Sequence, residues 1–170
     1  MANEKILLKN EDLTEDRIED IISLKQEHWP YPMESQKEWM KKNHQKGDLH
    51  LLLYESGKPI AYLDMVQVRI KMDEVEKSVL GIGNVCVSKA YQGKGIGKEC
   101  VLAANKEIVD RGEEGILLCR LPLVQFYTKC GWSLIKAEKV MIQDKDFKDC
   151  VMILNGQQVE VKNLFIGRSF

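Results

Sequence analysis

The chain has 170 residues and a mass of 19.6 kDa, and a single domain over residues 1–170 is expected at that length. Lys and Arg (25) nearly balance Asp and Glu (26), giving a net charge of −1 and a pI of ≈ 6.3, which argues against a protein that grips nucleic acid through its phosphates. No apolar run approaches the ~18 residues of a membrane span. The opening Met1-Ala2-Asn3-Glu4-Lys5 offers neither a basic, apolar leader nor a glycine for myristoylation, so a cytoplasmic protein without a membrane partner is expected.

Lys5 to Lys9 reads as a short strand, followed by an acidic stretch. A first helix places Ile18, Ile21 and Ile22 at i, i+3 and i+4, with Asp12 and Glu15 spaced as a capping box. Trp29-Pro30-Tyr31-Pro32-Met33 stops that helix, because each proline fixes its own φ and pushes its predecessor into extended backbone. A second helix is expected from Ser35, with Glu38 completing its capping box, ending by Gly47. The period then changes to two. Leu49–Tyr54 and Pro59–Ile70 read as strands joined at Ser56-Gly57-Lys58, and a charged loop, Lys71 to Lys77, leads to a third strand over Ser78–Ser88.

From Gly93 a helix carries Gly97, Val101, Ala104 and Ile108 on one face and closes at Gly112. Gly115–Cys119 is a short apolar strand of the buried kind. Pro122 suits a first helical turn, and Leu123, Phe126, Tyr127 and Cys130 recur at i, i+3, i+4 and i+7 before Gly131. Trp132–Ile142 and Cys150–Leu154 follow as strands, and the weakly alternating tail adds an edge strand, a surface on which two copies could pair. The order describes a mixed α/β fold around an antiparallel meander. The five cysteines are odd in number and lack a C-x-x-C pair, and the three histidines are not at zinc-ligand spacing from them. Free thiols and no metal are therefore expected.

The most informative segment is Asn84-Val85-Cys86-Val87 running through Gln92-Gly93-Lys94-Gly95-Ile96-Gly97-Lys98. A strand enters a turn with three glycines and a helix follows at once. Glycine permits positive φ and close approach of a ligand to the backbone. A helix start offers unpartnered N–H groups and the positive end of the dipole, suited to a phosphate or pyrophosphate. Lys94 and Lys98 add charge; the alternative is a connector needed only for chain reversal. The P-loop pattern fails because Glu99 follows Gly97-Lys98, and the dinucleotide pattern fails because the spacing is G-x-G-x-G.

Gln92-Gly93-Lys94-Gly95-Ile96-Gly97 resembles the Arg/Gln-x-x-Gly-x-Gly/Ala signature of the GCN5-related N-acetyltransferases, the GNAT superfamily. Phe126-Tyr127-Thr128-Lys129-Cys130-Gly131-Trp132 is similar to that family's Leu/Phe-Tyr-x-x-x-Gly-Phe/Trp segment, with a faint likeness to the aminoglycoside 2′-N-acetyltransferase branch. The resemblance covers nearly the whole chain. It implies an acyl-CoA N-acyltransferase fold, a splayed, mostly antiparallel sheet of six or seven strands with about four helices, and acetyl-CoA as co-substrate for acetylation of an amine.

By the same resemblance, backbone groups of Val85, Cys86 and Val87 flank the pantetheine arm, with the reacting carbonyl near Val85. Those of Gln92 through Lys98, including Gly93, Lys94, Gly95, Ile96 and Gly97, hold the pyrophosphate. Tyr127 matches the family's general acid; packing in the core is its other reading. The carboxylate that many relatives carry before the Val-x-Val segment is missing from Gly81-Ile82-Gly83-Asn84. Asp64, His28, His50, Glu34, the terminal carboxylate of Phe170 or water stand as alternative bases. Leu121 stands where many relatives have Asn. A covalent route through Cys86, Cys119 or Cys130 has no neighbouring histidine in its favour.

The acceptor is expected at the first two helices, where Trp29, Tyr31, Met33 and Trp39 offer aromatic and apolar surface and Glu27 and Glu34 attract a cation. A small molecule or peptide amine is the implied partner, for a monomer or homodimer. A non-catalytic acyl-CoA-binding module is the alternative reading.

Overall fold

A computed structural model describes residues 3–170; Met1 and Ala2, part of the opening segment read for a leader, lie outside the described residues. The strands are β1 (Glu4–Lys9), β2 (Leu49–Glu55), β3 (Lys58–Met72), β4 (Val75–Val87), β5 (Gly115–Cys119), β6 (Ser133–Leu134), β7 (Lys136–Ile142), β8 (Lys145–Asp146), β9 (Cys150–Leu154) and β10 (Glu160–Ile166). The helices are α1 (Glu15–Gln26), α2 (Met33–Asn43), α3 (Ile96–Asp110) and α4 (Val124–Lys129). The fold is mixed α/β with a mostly antiparallel sheet. That sheet has ten strands among the described residues, more than the six or seven expected, because the C-terminal third contributes several short strands. No described helix is long and apolar enough to cross a membrane. Two compact units divide the chain, Met1–Val66 with Gly83–Ala104, and Gln67–Ile82 with Asn105–Phe170.

In the first unit β1 and β2 pair antiparallel from Glu4 with Tyr54 to Lys9 with Leu49, and β2 pairs antiparallel with β3. A two-residue turn joins β2 to β3, with positive φ at Ser56 (50°) and Gly57 (75°), matching the right-handed twist of its flanking strands. Helix α1 starts later than the capping box predicts. Asn10–Asp12 form a 3-10 turn, and Thr14 Oγ1 accepts the Arg17 N–H at 3.4 Å. Helix α2 starts earlier, with Pro32 preceding Met33 and accepting the Gln36 N–H at 3.1 Å, so Ser35 lies inside the helix. The core joins Ile21, Ile22 and Leu24 of α1 and Met40 of α2 to Leu52, Tyr54, Tyr62 and Cys86.

In the second unit β5 lies between two partners, parallel to β4 over Leu80–Ile82 and antiparallel to β9 along its whole length. The tail is not an edge. β10 pairs antiparallel with β3 over Ile70–Met72 and parallel with β7, so both its sides are used. That partner also explains why Lys71 to Lys77 is not a loop. β3 runs on to Met72 and β4 begins at Val75, with Asp73 in a left-handed turn. There Asp73 Oδ1 accepts the N–H groups of Lys162 and Asn163, each at 2.9 Å. The expected strand from Trp132 to Ile142 is split at Ile135 because β6 bonds to β9 and β7 to β10. Helix α3 ends as its glycine predicts. Gly112 has φ 67°, its N–H bonds Val109 C=O at 2.9 Å, and that of Glu113 bonds Ile108 C=O at 3.1 Å.

Candidate active site

Strand β4 delivers Val85, Cys86 and Val87 to the glycine turn of the first unit. Cys86 points into the core and its neighbours are half-buried. Asn84 breaks the strand with φ 51°, a left-handed conformation that Asn tolerates better than most residues. It is held there by its Nδ2, which donates to Asp64 Oδ2 at 2.7 Å. The backbone resumes with Ser88 N–H donating to Ile60 C=O at 2.9 Å. His28 Nε2 donates to Val87 C=O at 2.7 Å, so one of the backbone groups read for a ligand already has a side-chain partner.

Lys89–Tyr91 form a 3-10 turn, and Gly93 (φ 76°) and Gly95 (φ 82°) then adopt conformations only glycine takes readily. Nothing lies within 4 Å of where a Cβ would stand on either, so backbone conformation, not crowding, requires glycine there. The expected helix from Gly93 begins at Ile96, because those two glycines form the preceding turn. Its first bond runs from Glu99 N–H to Gly95 C=O at 3.0 Å. The N–H groups of Ile96, Gly97 and Lys98 precede it and have no acceptor inside the helix. Gln92, Lys94 and Lys98 are exposed, and Lys94 Nζ lies 5.0 Å from the centroid of the Tyr91 ring.

Tyr127 stands in the second unit. Residues Leu121–Leu123 are 3-10 and α4 begins at Val124, which breaks the anticipated helical stripe. Tyr127 and Cys130 are buried while Leu123 is exposed. The Tyr127 ring packs edge-on to Phe126 at 5.0 Å. Leu121 is exposed.

A cavity of ≈ 440 Å³ opens in the first unit where α1, α2 and β4 meet. Trp29, Tyr31 and Trp39 form its aromatic wall, and Lys25, Ser35, Gln36 and Asn84 complete it. Gln36 Nε2 donates to Trp29 C=O at 3.1 Å and fixes the connection between the helices.

The profile of the acetyltransferase (GNAT) family matches residues 12–132. The chain belongs to that family. The family reaction in general is acyl transfer from acyl-CoA to an amine. Solved structures share the fold at low identity. Escherichia coli ElaA is 16% identical, with 91% of this chain and 100% of that one covered and a TM-score of 0.66. An acyl-CoA N-acyltransferase from Pseudomonas aeruginosa is 18% identical over 90% and 99%, with a TM-score of 0.65. E. coli YhbS, a GNAT N-acetyltransferase solved with CoA, is 12% identical over 98% and 92%, with a TM-score of 0.65.

Within this GNAT chain the candidate bases have varied surroundings. Asp64 is buried, and its Oδ2 accepts His44 Nε2–H at 2.8 Å, Asn84 Nδ2 at 2.7 Å and Tyr62 O–H at 3.5 Å. Burial works against its charge, but the bonds and charge of His44 prevail and hold its pKa below the ordinary value. His50 is buried with Nδ1 toward Tyr62 O–H at 2.8 Å and Nε2 toward Asn10 Oδ1 at 3.1 Å. Burial, aided by His44, lowers its pKa to about 4. Glu34 is exposed in the first turn of α2. The Phe170 ring lies in the second unit, 2.9 Å from the position of a Cβ on Gly81.

Burial pushes the Cys86 thiol up to about 12 and that of Cys119 to about 11, which keeps them protonated and poor as nucleophiles. Two acceptor-site expectations change. Met33 packs on the core instead of lining the cavity, and Glu27 Oε2 accepts the Lys89 N–H at 2.6 Å. The residues missed are Lys25, His44 and Asn84. Lys25 had a signal, since it continues the Ile18, Ile21, Ile22 stripe at i+7.

Proposed function

We propose that the chain is an acetyl-CoA-dependent N-acetyltransferase, one domain over residues 1–170, that acetylates a primary amine by direct attack in a ternary complex, as a monomer or homodimer. The glycine turn is the observation that most supports it. Positive φ at Gly93 and Gly95, open space beside both, and a helix start with unpartnered N–H groups suit a pyrophosphate. Lys94 and Lys98 add positive charge, and Val85, Cys86 and Val87 offer the pantetheine arm an extended backbone. CoA bound to the same fold in YhbS supports that use.

Bound acyl-CoA supplies the thioester. As the amine forms the new C–N bond, the C–S bond breaks. The amine's surplus proton passes to water, since Asp64 and His50 are buried in a network of their own. Tyr127 gives its phenolic proton to the departing sulfur and regains one from solvent.

Saturating acetyl-CoA is expected to raise the melting temperature; no shift overturns the reading. Amines assayed for released thiol should reveal turnover, with Tyr127→Phe slower by roughly 100-fold or more in kcat. Normal turnover of that variant removes Tyr127 from the acid role. The absence of a carboxylate at Gly81-Ile82-Gly83-Asn84 favours a second reading, a non-catalytic acyl-CoA-binding module. Thermal stabilisation with no thiol released from any amine would establish that alternative.

A further inference from the structure

Lys25 occupies an unusual position for a lysine. The α1 stripe turns it inward, the residue is only 5% exposed, and its side chain faces the cavity of ≈ 440 Å³. Its Nζ lies 4.3 Å from the centroid of the Trp39 ring. Among the described residues this Nζ forms no ion pair and no hydrogen bond; the Lys25 carbonyl, by contrast, accepts the N–H groups of His28 and Trp29. Burying an ammonium is unfavourable unless it is paired, and the face of one indole compensates only in part. Burial accordingly lowers the Lys25 pKa, with the charge of Asp64 opposing.

The rest of the wall sharpens the point. Among the described residues no carboxylate lines the cavity; Glu27 is bound to the Lys89 backbone and Glu34 is exposed on α2. A polycationic acceptor such as an aminoglycoside would bring further positive charge toward Lys25 and find no counter-charge. An anionic oxygen would find the missing partner of a cation, and an apolar body would find Trp29, Tyr31 and Trp39.

We propose that this cavity selects a small amino carboxylate, an acceptor whose carboxylate pairs with Lys25 Nζ while its apolar or aromatic body packs against Trp29, Tyr31 and Trp39. The inference rests on the acetyltransferase reading above and narrows its substrate class; the transfer itself is the one already described. Lys25 is a specificity residue here. It pairs with the carboxylate of the acceptor and leaves the reacting nitrogen free.

The test compares phenylalanine, leucine and tryptophan with their amides, which keep the amine and the body but lose the anionic charge. In the wild type, kcat/KM for the best acid should exceed that of its amide at least tenfold. Lys25→Met should bring the ratio near one, chiefly through KM for the acid, and Lys25→Arg should retain a preference for acids. An amide used as well as its acid by the wild type, or a preference undiminished in Lys25→Met, overturns the proposal. A second measurement needs no turnover. 3-Phenylpropionate, which has no amine, should bind the wild type in calorimetry and bind Lys25→Met at least tenfold more weakly. If it does so while no amine is acetylated, the transferase reading fails and the anion subsite stands. If amines are acetylated without acid preference and 3-phenylpropionate does not bind, the subsite fails and the transferase stands.

Discussion

In the first unit the buried side chains include Lys25, Gln36, His44, Asp48, His50 and Asp64; in the second the interior is built from Ile108, Ile116, Leu117, Trp132, Val151, Met152, Ile153 and Leu164. The buried Lys, Gln, His and Asp side chains among the described residues all belong to the first unit, whereas the side-chain polar atoms of buried residues in the second are those of aromatic groups and thiols such as Tyr127, Trp132 and Cys130. Apolar burial stabilises without geometric demands beyond packing, whereas a buried ionisable group costs stability unless its partners are held in place. The first unit thus spends stability on a fixed polar arrangement behind the cavity, and the second supplies a packed scaffold.

The contrast breaks most sharply at Asp64. Asp64→Ala strips the acceptor from His44 Nε2–H and Asn84 Nδ2 at once, and the left-handed Asn84 loses that side-chain anchor. Removing one partner of a buried pair costs about 3–5 kcal/mol, so urea unfolding should show a loss of that size. A loss below about 1 kcal/mol would mean the network does not hold the first unit together.

How legible such features were depended on the distance between partners along the chain. The glycine turn could be read because positive φ and a helix start are local, and the paired motifs around Gly95 and Tyr127 carried the family. The His44–Asp64 bond joins residues 20 apart on different elements, and no periodicity announces it. Lys25 lay in plain view at a core position of the α1 stripe, but its residue type suggests solvent. The tail's weak alternation suggested an edge, whereas β10 is enclosed between β3 and β7, a non-local pairing that composition does not encode. Thr14 displaced Asp12 as the cap because a 3-10 turn intervenes.

Acid separates the units next. His50 stays neutral in the fold down to about pH 4, while a histidine in an unfolded chain protonates near pH 6.5. Between those values the unfolded state binds more protons, so stability falls as pH falls, by about 3 kcal/mol in all. Asp64, whose pKa is lowered in the fold, adds a further loss only below the ordinary carboxylate value, as pH falls through its folded pKa. All three histidines lie in the first unit. Opening free energies from amide exchange, corrected for intrinsic rates, should therefore fall in β2 between pH 6.5 and 4 and change less in β9. His50→Gln should flatten the β2 response. Equal acid sensitivity in both strands would remove His50 as the cause.

The smallest effect tests the second unit on its own terms, with volume instead of charge. A Cβ on Gly115 would stand 2.7 Å from Trp132 Cη2, 3.0 Å from Ile108 Cδ1 and 3.3 Å from Leu154 Cβ. The indole cannot retreat freely, because its Nε1–H donates to Asn105 Oδ1 at 2.8 Å and Asn105 Nδ2 donates to Cys130 C=O at 2.7 Å. Gly115→Ala should therefore cost about 1–3 kcal/mol through overpacking. Trp132→Phe removes the atoms in the way, so the double variant should lose less stability than the sum of the singles, by about 0.5 kcal/mol or more. Strict additivity would show that the strain lies elsewhere. A coupling that stays constant from pH 7 to pH 5 would show this unit governed by packing alone, where the first is governed by protons.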